Sequence, residues 1–94
     1  MELRFYMDPE SGQPHIYDHG VTEEEVWEVL RRPGEDRAGD NDSRVAIGQT
    51  AFGRHLKVIY VRDPGGRSVF VITAYDLTGK ALKAYRRRLR RRGR

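Results

Sequence analysis

The sequence predicts an α+β domain: a small antiparallel β-sheet with two helices packed on one face, in the order β-α-β-β-β-α. Three observations point there. One segment, Thr22–Arg32, carries a complete set of helix-start and helix-stop signals. Three β-rich runs follow in residues 44–75, two of them joined by Asp63-Pro64-Gly65-Gly66. A second stretch with helical spacing closes the chain, and helices beside hairpin-linked strands bury their apolar faces in this way.

Residues 2–7, ELRFYM, alternate polar and apolar and predict a strand with Leu3, Phe5 and Met7 on one face. Asp8-Pro9 ends it, and residues 9–20 are turn-rich. In the first helix Thr22 is the N-cap and Glu25 stands three residues on, a capping box, with Val21 and Val26 as a hydrophobic staple. Glu23 and Glu24 place negative charge at the positive end of the helix. Pro33-Gly34 stops it, and residues 34–43, GEDRAGDNDS, predict a polar loop. The runs 44–50, 55–62 and 67–75 predict strands. A hairpin pairing Arg62 with Arg67 puts Ile59, Val61, Phe70 and Ile72 on one face. Leu56, Val58, Tyr60, Val69, Val71, Thr73 and Tyr75 take the other. Thr78 is the expected cap of the last helix, which carries Ala81, Leu82, Tyr85 and Leu89 at helical spacing. Both sheet faces carry apolar residues. Two helices on one face would leave the other as a contact surface for a partner or a second copy in a homodimer.

At 94 residues the chain holds one domain, read as residues 1–85, with 86–94 as an arginine-rich extension of the last helix. No apolar run approaches the roughly 18–20 residues that span a bilayer, so no membrane partner is expected. No cysteine is present, which excludes disulfides, thiol nucleophiles and cysteine-based zinc sites. The N-terminus lacks a signal-peptide pattern, and a cytoplasmic protein is expected. The net charge of +4 conceals a strong asymmetry: residues 1–43 carry −8, residues 44–78 carry +3 and residues 79–94 carry +9. A run such as RRRLRRRGR attracts polyanions by releasing their counterions.

Motif chemistry is sparse. His15 and His19 are four apart, but Pro14 and Gly20 argue against a long helix there, and no third ligand stands at a recognisable spacing. Asp36, Asp40 and Asp42 fail the calcium-loop spacing. Neither metal nor cofactor is expected. What remains is a set of cations and rings around the sheet. His55 titrates near neutrality and can serve as base or acid. Arg44 and Arg54 can hold a phosphate, and Tyr75 can stack on a base or donate a proton. Lys57, Lys80, Arg86, Arg87 and Arg90 complete a candidate nucleic-acid surface. Metal-free RNA cleavage needs little more: a base for the 2′-hydroxyl, cations for the phosphate and an acid for the leaving oxygen.

Three segments resemble the BrnT family of bacterial toxins: HGVTEEEVWEVLRRP (residues 19–33), RVAIGQTAFGRHLKVIYV (44–61) and FVITAYDLTGKALKAYRR (70–87). The resemblance implies a RelE-type fold, a small antiparallel sheet flanked by helices. It also implies a metal-independent ribonuclease that stops translation. Its partner would be a small DNA-binding antitoxin covering the sheet or basic groove, in a complex that represses its own operon. The match has departures. Tyr75 stands where the family has an arginine, and Ala81 or Leu82 lies near the family's glutamate, while Tyr85 is retained and Arg86 follows it. Of the family's N-terminal motif only Asp8-Pro9 and His19-Gly20-Val21 remain. Two functions therefore fit the sequence: a ribonuclease toxin, or a non-catalytic module of the same fold. The second would bind a protein through its sheet or nucleic acid through its basic tail.

Overall fold

The computed structural model describes residues 1–93. Five strands form one sheet in the order β1-β5-β4-β3-β2: β1 (Glu2–Phe5), β2 (Glu35–Ala38), β3 (Arg44–Gln49), β4 (His55–Arg62) and β5 (Ser68–Asp76). A short 3-10 helix, His15–His19, precedes α1 (Glu23–Arg31), and α2 (Gly79–Arg92) ends the fold. The molecule is α+β, as expected. No helix among the described residues is long and apolar enough to cross a membrane.

Three details differ from the sequence reading. The sheet is mixed, because β1 pairs with β5 in parallel while the other pairs are antiparallel. No local turn joins β1 to β5, so no hairpin imposes an antiparallel pairing, and β1 packs Leu3 and Phe5 against the core. The segment EDRA within the expected loop is an edge strand, β2, paired with β3. It has no apolar run for a pattern to reveal; its ladder comes from its neighbour. Third, the two helices lie on opposite faces of the sheet, not on one. On the first face α1 supplies Val26 and Val29, packed with Ala46, Leu56, Val58, Tyr60, Val69, Val71 and Ala74. On the second, α2 supplies Tyr85 and Leu82 against Val45, Ile47 and Ile59. With apolar residues on both faces, covering each with one helix buries more than stacking both on one. The apolar face expected to await a partner is thus largely occupied by α2.

The α1 signals are realised in detail. The Thr22 hydroxyl accepts from the Glu25 N–H at 3.2 Å, and the Glu25 carboxylate accepts from the Thr22 N–H at 3.0 Å. Val21 and Val26 are both buried in the α1 core. Thr78 is the residue preceding α2, but its side chain makes no cap.

Two features dock α2. Glu35 on β2 is 93% buried yet ionised, because Arg88 donates to it at 2.7 and 2.9 Å and Arg92 at 2.8 Å. The Arg88 hydrogen bond outweighs burial and holds the Glu35 carboxyl below its usual range. Beside it, Gly34 leaves the space that the Tyr85 ring occupies; a Cβ at Gly34 would overlap the Tyr85 hydroxyl. Gly34→Ala is therefore expected to displace Tyr85 and loosen α2, lowering stability by about 1–3 kcal/mol, the usual cost of overpacking. Urea unfolding measures the loss. An unchanged midpoint would show that Tyr85 does not anchor the helix.

Candidate nucleic-acid interface

Helical geometry sorts the residues of α2 into two sides. At about 100° per residue, Leu82, Tyr85, Arg88 and Arg92 turn toward the sheet. Lys80, Lys83, Arg87, Arg90 and Arg91 fall on an outward arc of about 100°, with Arg86 at its border. All six are exposed, and α2 contains no acidic residue. Among the described residues only Arg88 and Arg92 of this helix form ion pairs. The outward face is a stripe of unneutralised cations.

The adjoining sheet surface extends it. His55 and Lys57 lie on the α2 side of β4, the His55 ring edge-on to Tyr85 at 6.1 Å. Tyr75 on β5 faces Lys57 across the ladder, with the Lys57 Nζ 6.0 Å from the ring centre. The sequence pattern placed Tyr75 on the other face with Val69 and Val71. An irregularity in the β4–β5 ladder at Ile59/Tyr60 leaves Ile72 without a partner. One extra residue reverses the alternation beyond it, so Ala74 enters the α1 core while Thr73 and Tyr75 stand with Ile59 and Lys57. At the sheet edge the His19 ring meets Tyr75 edge-on at 5.8 Å.

His55 is partly buried here. That burial, and then the nearby Arg86 charge, lower its pKa from the ordinary value of 6.5. The imidazole is neutral at pH 7 and able to accept a proton. Burial, and then Glu35, raise the Tyr85 pKa, so its hydroxyl keeps its proton.

The structure removes two predicted phosphate binders from this group. Arg44 lies on the opposite face of the sheet, paired with Tyr60 and five ladder positions from His55, roughly 16 Å along the strand. Its guanidinium is held by the Asp36 carboxylate at 2.9 Å, which also accepts from the Tyr60 hydroxyl. Arg54 is consumed as well. It donates to both oxygens of Asp76 at 2.6 and 3.1 Å, to Glu25 at 3.0 Å, and to the carbonyls of Gly20 and His19 at 2.8 and 3.3 Å. Its proton is held far more tightly than in free arginine, chiefly by the Asp76 hydrogen bond. Arg54 ties the start of α1 to the end of β5; it does not reach outward for a ligand. Of the predicted residues, His55, Tyr75 and Lys57 share a surface that adjoins α2, and α2 presents Lys80, Arg86, Arg87 and Arg90. Lys83 and Arg91 belong to the same stripe but were missed, although plotting the tail as a helix places them there.

No protein-family model, curated protein or solved structure matches the chain.

The His55 environment has a measurable consequence. Its C2 proton should titrate with a midpoint below 6.5 in the folded chain, and Arg86→Ala should move that midpoint upward. Because the folded pKa is the lower one, His55 contributes its full stability above about pH 6.5 and loses it as pH falls toward the folded value. A midpoint at or above 6.5 by NMR would remove the burial argument.

Proposed function

We propose that the protein binds single-stranded RNA through the outward face of α2 and the adjoining patch of His55, Lys57 and Tyr75. The observation that carries this reading is the stripe of six unpaired cations on a helix without an acid. Such a face recovers counterion-release free energy from a polyanion and pays little to break ion pairs of its own. The cations are mostly arginines, whose planar forks suit phosphate oxygens. Tyr75, half-buried with the Lys57 Nζ 6.0 Å from its ring centre, sets an aromatic ring beside the cations, and single-stranded nucleic acid uses cations and aromatic rings together. The outward residues of α1, Glu23, Glu24 and Glu28, lie on the other side of the sheet and do not oppose a polyanion there.

Fluorescence anisotropy with a labelled oligoribonucleotide tests the proposal. Affinity should fall steeply with salt, log Kd rising by about 0.7 per phosphate contact for each decade of salt. Replacing Lys83, Arg87, Arg90 and Arg91 together by Gln should flatten that slope by roughly 3 and weaken binding at least tenfold, with unfolding unchanged. A flat salt dependence in the unmodified chain would defeat the reading.

A second reading, ribonuclease action, draws on the neutral His55 beside Lys57 and Arg86. It also draws on the resemblance to BrnT-like toxins, which adds an antitoxin that would cover this surface. In it His55 takes the 2′-hydroxyl proton, the 2′-oxygen attacks phosphorus, and Lys57 and Arg86 stabilise the phosphate charge. The 5′-oxygen then leaves with a proton from Tyr75. Induced expression in a bacterium, followed by mapping of RNA 5′ ends, decides it. Growth arrest with discrete new ends, lost in His55→Ala while RNA binding persists, is the expected outcome for an enzyme. Intact RNA and normal growth with abundant protein leave the binding function alone.

A further inference from the structure

A second group of side chains, separate from α2, is assembled by the segment before α1. Met7 bridges Pro14, the Asp8 N–H donates to the Gln13 carbonyl at 2.8 Å, and the His15 N–H donates to the Tyr6 carbonyl at 2.9 Å. Residues 6–15 thus form a closed loop whose two legs hold Asp8 and His15 side by side. His15 then opens the 3-10 helix His15–His19. At three residues per turn, that helix sets Asp18 directly over His15. The sequence reading found no third ligand beside His15 and His19 and expected no metal. The tighter helix sets Asp18 against His15, and chain reversal brings in Asp8 as the third member.

The three groups converge without closing on one another. His15 Nδ1 lies 3.5 Å from Asp18 Oδ2 and 3.7 Å from Asp8 Oδ2, too far for good hydrogen bonds. One ligand-capable atom from each residue lies within 4.8 Å of the other two. Neither carboxylate pairs with any described lysine or arginine. Two acids and an imidazole are therefore held together without a fixed cation. The spacing fits a shared ion: with bonds of about 2.0–2.1 Å, neighbouring ligands in a tetrahedron stand roughly 3.4 Å apart. The His15 ring is held between two others, edge-on to Tyr6 at 6.1 Å and to His19 at 5.2 Å. Its orientation is set before any ion arrives.

We propose that Asp8, His15 and Asp18 form a binding site for a divalent transition-metal ion of the zinc–manganese class. His15 ligates through Nδ1, each aspartate supplies one oxygen, and water fills the positions facing solvent, where Asp18 is half-exposed. The imidazole favours transition ions over magnesium and calcium, which prefer oxygen alone. The site shares no residue with the proposed RNA surface and stands or falls independently of it.

The test uses the full chain, stripped with chelator, and titrates Zn2+, Mn2+, Mg2+ and Ca2+ in separate calorimetric runs at pH 7. Imidazole 15N shifts are followed in parallel. The expected result is one Zn2+ or Mn2+ per chain, with Zn2+ shifting the His15 Nδ1 resonance. Affinity should fall about tenfold or more in Asp8→Asn and in His15→Gln. Absence of a His15 shift on Zn2+ addition to the unmutated chain would overturn the proposal, whatever the variants do. So would Zn2+ uptake that survives His15→Gln, or equal binding of Mg2+ and Ca2+.

Discussion

Placement of α2 depends on one buried carboxylate. Glu35 sits on an edge strand, 93% buried, and gathers Arg37, Arg88 and Arg92. Helix α2 carries eight cations and no acid, so its charges repel one another along its whole length. Its apolar contribution to the second core is small, chiefly Tyr85 and Leu82. Glu35 supplies what the helix lacks, a negative charge at the sheet end of the cationic run. Hydrogen bonds to charged groups contribute about 1.5–3 kcal/mol each, and these are discounted because Arg88 and Arg92 also reach solvent. Residues 86–92, legible as a basic tail, are thereby part of the fold.

The Glu35 ion pairs also decide which cations remain available. Arg88 and Arg92 are spent on Glu35, and the helical repeat then turns Lys83, Arg87, Arg90 and Arg91 away from the sheet. The same economy operates on the other side of the molecule. Arg54 and Arg44 are engaged by Asp76, Glu25 and Asp36, so both act as internal ties. A count of basic residues overstates the charge offered to a ligand; the ion-pair pattern corrects it.

Elements governed by local chemistry were legible in the sequence. The Thr22–Glu25 capping box and the Pro33-Gly34 stop act over a few residues and appear where the pattern places them. The Asp63–Gly66 turn also forms, but the hairpin pairs Arg62 with Val69 and not with Arg67, because the loop takes in Arg67 as well. Features that arise from distant partners were not legible. The segment EDRA becomes a strand only because β3 offers an edge. The parallel pairing of β1 depends on a strand more than 60 residues away. The candidate site divides along the same line. His55 and Lys57 were found by residue type on a well-read strand. The position of Tyr75 was misread because no local signal announces the extra residue at Ile72. Arg44 and Arg54 were chosen for their charge, while the carboxylates that occupy them lie far along the chain.

The opposed placement of the helices gives the molecule a polarity across the sheet. Acidic groups of α1 stand above the sheet and the cations of α2 below it. Such a charge separation exerts a torque in the field of a polyanion before any contact forms, turning α2 toward it and rejecting the inverted approach. The docked molecule would then present its acidic side outward, with Trp27 41% exposed beside Arg31 and Phe52 fully exposed at the β3–β4 turn. Orientation by charge would leave an aromatic, acidic surface facing solution in any copy so docked.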